Sequence, residues 1–165
     1  MSTDILICPI AEQYIEGFYR CLDAVARERR YLAFLQAPPL ASTREFVLSN
    51  IENGVPQFVA VRGSEVVGWC DIVPMTREGF THGGVLGMGV RKDVRNQGIG
   101  SKLIARTLTA AKDLGLERIE LDVYASNQPA IRLYEKMGFV VEGTRKRARK
   151  LDGVYDDLVE MVLFF

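Results

Sequence analysis

The pattern of apolar and polar positions predicts a chain in which short strands alternate with amphipathic helices. Apolar residues recur at helical spacing along one side of each helical segment. Four helices are predicted, over residues 11–30, 42–54, 98–114 and 129–137. Ser42 and Glu45 have the spacing of a capping box, so we expect Ser42 to begin the second helix. Gly115 is expected to end the third helix, and Pro129 lies near the start of the fourth.

Seven strands are predicted between and after these helices. They cover residues 4–8, 57–62, 65–73, 85–90, 118–123, 139–150 and 154–164. Gly63-Ser64 and Asp152-Gly153 have the composition of tight hairpin turns. Hairpins combined with strand–helix–strand units predict a mixed α/β domain. Its centre should be a mixed, mostly antiparallel sheet of six to seven strands, with helices on both faces.

Composition adds limits to this fold. The 165 residues fit a single domain, 1–165, and contain neither a repeat nor a linker. Acidic and basic residues balance at 21 each, so no overall charge favours nucleic acid or a membrane surface. The N-terminus lacks the pattern of a secretory signal. Three scattered cysteines predict reduced thiols and a cytoplasmic protein, and no metal-ligand spacing surrounds the only histidine, His82.

Glycines mark the segment from residue 85 to residue 115 as the candidate functional region. Gly87 and Gly89 lie inside a predicted strand, which is unfavourable unless the backbone bulges or a ligand approaches closely. The sequence Arg95-Asn96-Gln97-Gly98-Ile99-Gly100 then leads into a helix. Backbone N–H groups at a helix start, with the helix dipole behind them, form an anion site that most often takes phosphate. The third glycine of a dinucleotide fingerprint is absent, as is the lysine of a P-loop.

The Arg-x-x-Gly-x-Gly motif, followed downstream by residues 127–139 (NQPAIRLYEKMGF), resembles the GNAT superfamily of acyl-CoA-dependent N-acyltransferases. The resemblance is clear over residues 84–143. It implies the GNAT-like fold and transfer of an acetyl group from acetyl-CoA to a primary amine by direct attack. The acceptor is expected to be a small-molecule amine or an amino acid. A peptide acceptor, as in a protein N-terminal acetyltransferase, and a non-catalytic acyl-CoA-binding module are the alternatives.

The resemblance also assigns roles to individual positions. The glycine-broken strand would hold the pantetheine arm, the loop and helix start would hold the pyrophosphate, and an asparagine and a tyrosine would complete the cofactor site. The residues so assigned are Met88, Gly89, Val90, Arg95, Asn96, Gln97, Gly98, Ile99, Gly100, Ser101, Asn127 and Tyr134. Tyr134 is expected to be catalytic, as the acid that protonates the departing thiolate. From its spacing alone, Tyr134 would be a core tyrosine.

The acceptor side is less defined by the sequence. Glu28, Arg29 and Tyr31 lie at the end of the first predicted helix, where the family places the acceptor site, although a solvated helix end has the same composition. The base that removes the amine proton stays open. The family often uses an acid on the fourth strand, which this chain lacks. The candidates elsewhere, each also explicable as an ordinary carboxylate, are Asp71, Glu78, Glu120 and Asp122. A homodimer is expected from the family alone.

Overall fold

The computed structural model describes residues 4–165 as seven strands and four helices. The strands are β1 (Ile5–Pro9), β2 (Gln57–Arg62), β3 (Glu65–Pro74), β4 (Gly83–Val90), β5 (Arg118–Tyr124), β6 (Val140–Leu151) and β7 (Val154–Phe164). The helices are α1 (Ile15–Ala26), α2 (Leu40–Glu52), α3 (Ile99–Asp113) and α4 (Gln128–Lys136). Short 3-10 turns precede α1 and α3. No helix within these residues is long and apolar enough to cross a membrane.

All seven strands form one sheet in the order β1-β2-β3-β4-β5-β7-β6. Every neighbouring pair is antiparallel except β4 and β5, which are parallel. The predicted mixed, mostly antiparallel sheet is therefore confirmed, as is the order of the elements along the chain. The Asp152-Gly153 turn has positive φ at both residues, as a two-residue hairpin turn requires.

Each face of the sheet packs against its own helices, because alternate residues of a strand point to opposite faces. On β3, Cys70 and Ile72 join the core beneath α3. Trp69 points to the other face and packs edge-on against Phe18 of α1, with ring centroids 5.7 Å apart. The two faces are called the α3 face and the α1 face below.

Three predicted helix boundaries are wrong. The first helix begins at Ile15 instead of residue 11, and residues 12–14 form a 3-10 turn before it. The second helix begins at Leu40, with Pro39 in the capping position, so Ser42 lies in the first turn and forms no capping box. Pro39 has an extended ψ of 145°, and its carbonyl accepts the first helical hydrogen bond from Thr43 N at 3.0 Å. The first helix ends at Ala26 instead of residue 30. Arg29 has a left-handed φ of 59°, which an α-helix cannot contain.

Candidate active site

A cavity lies at a split between β4 and β5. The two strands pair only from Gly83 to Val85, whereas β3 pairs with β4 as far as Val90. From residue 86 onward, one edge of β4 therefore has no strand of residues 4–165 beside it. A cavity of about 450 Å³ opens at this point, between β4, the loop before α3, and α4.

The cavity collects nearly all the residues that the sequence assigned to the cofactor. Eleven of the twelve line it, and Gln97 is the exception because it is exposed on the outside of the loop. Tyr31 also lines the cavity, whereas Glu28 and Arg29 do not. The sequence reasoning missed the further lining residues Val25, Val94, Pro129, Ala130 and Leu133. These are apolar or proline positions without a motif, so only their tertiary placement distinguishes them from ordinary core.

The loop before α3 has the geometry of an anion site. Asn96 and Gly98 adopt left-handed φ values of 62° and 77°, and Gly98 caps the helix that begins at Ile99. A side chain at Gly98 would meet no neighbour within 4 Å, so the backbone conformation, not crowding, requires glycine there. The N–H groups of the first turn of α3 have no partner inside the helix and border the cavity. They can bind the phosphate oxygens of a ligand.

The Arg95 side chain is engaged elsewhere in the protein. Its Nη1 and Nη2 donate to the two carboxylate oxygens of Glu28 at 2.9 and 2.5 Å, and its Nε donates to Val90 O at 2.9 Å. The guanidinium also lies over the Tyr31 ring, 4.8 Å from its centroid. The sequence assigns Arg95 to the cofactor site, but its positive charge is paired with Glu28. Arg95 fixes the loop after α1 to the end of β4.

Gly89 permits the closest approach in the site. A Cβ at this position would lie 2.3 Å from the Trp69 ring, so any larger residue would displace the indole. Trp69 is buried on the α1 face and supports the strand from below. Because of this packing, β4 has no bulge where its free edge borders the cavity, between Met88 and Val90.

Helix α4 supplies Asn127 and Tyr134 to the opposite wall. The Asn127 side-chain oxygen accepts from Ala130 N at 3.4 Å and caps the helix, so its amide remains at the cavity wall. Tyr134 is buried, with its ring 5.9 Å from that of Phe139. Burial is the main cause that raises the Tyr134 pKa above its ordinary value of 10, and the nearby Cys70 thiol adds to it. Tyr134 is therefore a protonated phenol at neutral pH, able to donate a hydrogen bond or a proton and unsuited to act as a base.

An ion pair connects two loops across the α1 face. The Arg29 guanidinium donates to both carboxylate oxygens of Asp152, with its shortest contact at 2.9 Å. Asp152 lies in the turn between β6 and β7, so the loop after α1 reaches from the end of β4 to the tip of this hairpin. We call this contact the Arg29–Asp152 bridge.

The four candidate carboxylates have different surroundings. Glu120 pairs with Arg118 at 3.3 Å, Asp122 pairs with Arg145 at 2.8 Å, and Glu78 is exposed in a loop. Asp71 is only 8% exposed, and neither of its oxygens has a hydrogen-bond or ion-pair partner among residues 4–165. Burial raises the pKa of Asp71 from 3.8 to about 7.

The cavity fits the parts of acetyl-CoA. Its unpaired β4 edge can accept an extended arm as an added strand. Its helix start offers N–H groups to phosphates, and its far wall holds a phenol donor. In the part of the chain that the structure describes, no group of three or more His, Cys, Asp or Glu could hold a metal ion.

Comparisons with known proteins agree with this geometry. The family model described as "Acetyltransferase (GNAT) family" matches residues 19–139. The chain is 35% identical over 109 residues to the L-amino acid N-acetyltransferase AaaT of Escherichia coli K12, covering 66% of this chain and 67% of that protein. It is 34% identical over 117 residues to an N-alpha-acetyltransferase of Saccharolobus solfataricus, covering 64% of this chain and 65% of that protein.

A solved structure of a GNAT-family acetyltransferase from Streptococcus pneumoniae has the same fold, with a TM-score of 0.91 at 23% identity over 98% of this chain and all of that one. The structure of YncA from Salmonella typhimurium with its cofactor acetyl-CoA gives a TM-score of 0.90 at 17% identity, over 97% of this chain and 93% of that one. These similarities concern the fold. Since the family model covers well over half of its length, the chain belongs to the GNAT family of acetyltransferases.

Proposed function

We propose that this acetyltransferase moves the acetyl group of acetyl-CoA onto the α-amine of a free amino acid. Acetyl-CoA supplies the thioester that the amine attacks. Residues 88–90 bind the pantetheine arm through the free edge of β4, and one N–H group there stabilises the oxyanion. The N–H groups from Asn96 to Ser101 bind the pyrophosphate, and Asn127 holds the arm from the side of α4.

Tyr134 acts on the departing thiolate in this proposal. Its raised pKa makes full proton transfer to a thiolate, whose own pKa is about 8.5, less favourable than for a free tyrosine. A hydrogen bond from the phenol stabilises the thiolate before any proton moves. The role therefore needs only a protonated hydroxyl that faces the reacting sulfur, and burial maintains that state.

The surroundings of Arg149 are the main support for an amino acid as the acceptor. Its guanidinium lies 3.9 Å from the centroid of the Tyr124 ring, at the end of β5 and on the α1 face. Its Nη2 is 3.6 Å from Asp156, which already accepts from Ser126. Its Nε and Nη1 are buried without a hydrogen-bond partner in residues 4–165. Buried donors without partners are unfavourable, and a carboxylate that engages this guanidinium after a small rotation would remove that penalty.

The Arg29–Asp152 bridge supports a small acceptor. It joins the loop after α1 to the β6–β7 turn and so crosses the face from which an amine would approach. A free amino acid fits beneath such a crossing more readily than a peptide chain that must continue outward. AaaT, the relative described above, carries the name of an L-amino acid N-acetyltransferase, which agrees with this choice.

An acceptor screen that follows free thiol release tests the proposal. Each amino acid is compared with its carboxamide, which keeps the amine and loses the carboxylate, and with a tripeptide that begins with the same residue. We expect the free amino acid to give the highest kcat/KM. Equal rates with the carboxamide would contradict the role of the carboxylate.

A peptide N-terminus is the second candidate, because the chain is also similar to the N-alpha-acetyltransferase of Saccharolobus solfataricus. The tripeptides in the same screen decide between the two. A higher kcat/KM with tripeptides than with free amino acids would replace the first proposal with this one.

A cytoplasmic location and a homodimer also stay proposals. The free thiols of Cys21 and Cys70 are buried, which suits a reducing compartment. Light scattering of the purified protein tests the homodimer directly.

A further inference from the structure

Asp71 is a buried carboxylate that the fold leaves without a partner. It lies on β3, two residues after Trp69, and therefore points to the α1 face. A buried, unpaired carboxylate is costly for folding, and an ordinary core position would hold an apolar residue. No charged group contributes to the rise in the pKa of Asp71, which comes from burial alone.

The position of Asp71 relative to β4 connects it to the split. Asp71 is the register partner of Gly87, and a Cβ on Gly87 would lie 3.5 Å from Asp71 Oδ1. The carboxylate thus occupies the space beside a β4 residue that has no side chain. Pairing between β4 and β5 ends at Val85, two residues earlier, so Asp71 stands where the split begins.

Other acidic groups on the α1 face are already paired. Glu120 contacts Arg118, Asp122 and Glu160 contact Arg145, and Glu28 contacts Arg95. The oxygens of these carboxylates are already engaged by guanidinium groups. Among the candidates on this face, Asp71 alone combines burial, no partner and a position at the split.

We propose that Asp71 is the general base of the reaction, delivered from β3 into the space left by Gly87. This inference rests on the proposed transfer to an amine. Asp71 accepts a proton from the acceptor ammonium, directly or through one water, and becomes a neutral carboxylic acid. The neutral amine then forms the C–N bond to the acetyl carbon, and the C–S bond breaks. The second proton leaves nitrogen as the amide forms, the thiolate gains one proton, and Asp71 returns its proton to solvent.

Asp71 and Arg149 would have complementary roles on the α1 face. Asp71 lies on the β3 side of the split and would face the ammonium group. Arg149 lies on the β6 side and would face the carboxylate. An amino acid carries an ammonium group and a carboxylate, which are the two groups that Asp71 and Arg149 would recognise.

Asp71→Asn tests the base. We expect kcat/KM at pH 7 to fall roughly 10²- to 10⁴-fold for an acceptor whose amine pKa is near 10. The loss should shrink at least tenfold for an acceptor of otherwise similar shape whose amine pKa is near 7.8, because more of that amine is already neutral. We expect the wild type to show an acidic limb in its pH profile near pH 7, and we expect the variant to lose it. A purely structural defect would lower both acceptors equally.

Two controls separate the outcomes. Glu120→Gln changes another carboxylate on the same face and should keep the wild-type rate and pH profile. Acetyl-CoA should still raise the melting temperature of Asp71→Asn, which shows that the variant folds and binds the donor. If the folded variant keeps wild-type kcat/KM and pH profile with both acceptors, Asp71 is not the base. If the wild type itself releases no thiol with any amine although it binds acetyl-CoA, the proposed function fails instead.

Discussion

The donor half and the acceptor half of the site are built in different ways. The donor half uses residues 88–134 and relies on backbone features: a free strand edge, a left-handed loop and a helix start. The acceptor half relies on side chains brought together from distant parts of the chain. Arg29, for example, meets Asp152 across 123 positions.

Because of this difference, the donor half carries the motif of the family, whereas the acceptor half would determine which substrate is used. Backbone N–H groups can bind any acyl-CoA in the same way, so the proposed donor half needs glycines at fixed places and few side chains, among them Asn127 and Tyr134. In the proposed function, side-chain charges on the α1 face select the acceptor. Arg149, Asp71 and the Arg29–Asp152 bridge can each change without disturbing the donor half.

The largest effect is expected from Gly100→Arg in the donor half. A Cβ at this position would lie 3.0 Å from Leu133, and the longer side chain would fill the cavity. Saturating acetyl-CoA should raise the wild-type melting temperature by roughly 5–10 °C, and this shift should vanish in the variant. Ala105→Arg places the same side chain on the exposed side of α3 and should keep the shift. A normal melting-temperature shift in Gly100→Arg would mean that the loop is not part of the donor site.

Tyr134→Phe should lower kcat by roughly 10²- to 10⁴-fold and leave the KM for acetyl-CoA nearly unchanged, because the hydroxyl contributes when the thiolate forms. Steady-state kinetics at saturating acceptor measure both constants. Tyr155→Phe, at an exposed position of β7, is the control. Unchanged turnover in Tyr134→Phe would rule out its role as the acid.

Asp71→Asn should stabilise the protein at neutral pH while it lowers activity. The folded-state pKa of Asp71 is about 7, above its ordinary 3.8, so the folded chain holds the proton to higher pH than the unfolded chain. Wild-type stability attributable to this group is therefore highest below about pH 4, falls up to about pH 7, and is constant above it. Asparagine has no such dependence, and the variant should gain up to about 4 kcal/mol relative to wild type between pH 4 and pH 8.

Urea unfolding at the two pH values measures this gain, and Asp122→Asn, at an ion-paired exposed position, is the matched control. A difference between Asp71→Asn and wild type that stays the same at both pH values would contradict the raised pKa.

Arg149→Met should raise the KM for a free amino acid roughly 10- to 100-fold, the size expected for a lost charge-assisted hydrogen bond. The KM for the corresponding carboxamide should stay at its wild-type value, because the carboxamide has no carboxylate for Arg149 to bind. The ratio of kcat/KM for the two acceptors is the measurement. An equal loss for both would mean that Arg149 supports the fold of the hairpin and does not bind the acceptor.

The smallest effect is expected from Arg29→Ala, which removes the Arg29–Asp152 bridge. Both side chains are largely exposed, so the free energy of unfolding should change by less than about 1 kcal/mol. Opening the face should raise the rate with tripeptides several-fold relative to free amino acids. Lys146→Ala removes an exposed ion pair with Asp157 in the same hairpin and should leave the ratio unchanged. An unchanged ratio in Arg29→Ala would mean that the bridge does not limit acceptor size.

The sequence by itself determined the elements, their order and most of the residues that line the cavity. Period-two and helical spacing, glycine turns and the Pro129 helix start act over a few residues, so they can be interpreted locally. The capping box at Ser42 failed because Pro39 offered the chain an earlier helix start with a suitable ψ. The capping box at Ser42 and the start after Pro39 are both valid local signals for a helix start, and the sequence does not show which of them the chain uses.

Only the tertiary structure decided the partners of charged side chains. Arg95 carries a motif that suggests phosphate binding, yet its guanidinium pairs with Glu28, which no local spacing indicates. Asp71 was one of four equal carboxylates in the sequence. Folding buried it beside Gly87 and paired or exposed the other three. Burial and pairing depend on which strands become neighbours, so the chemical character of these groups is a property of the folded sheet.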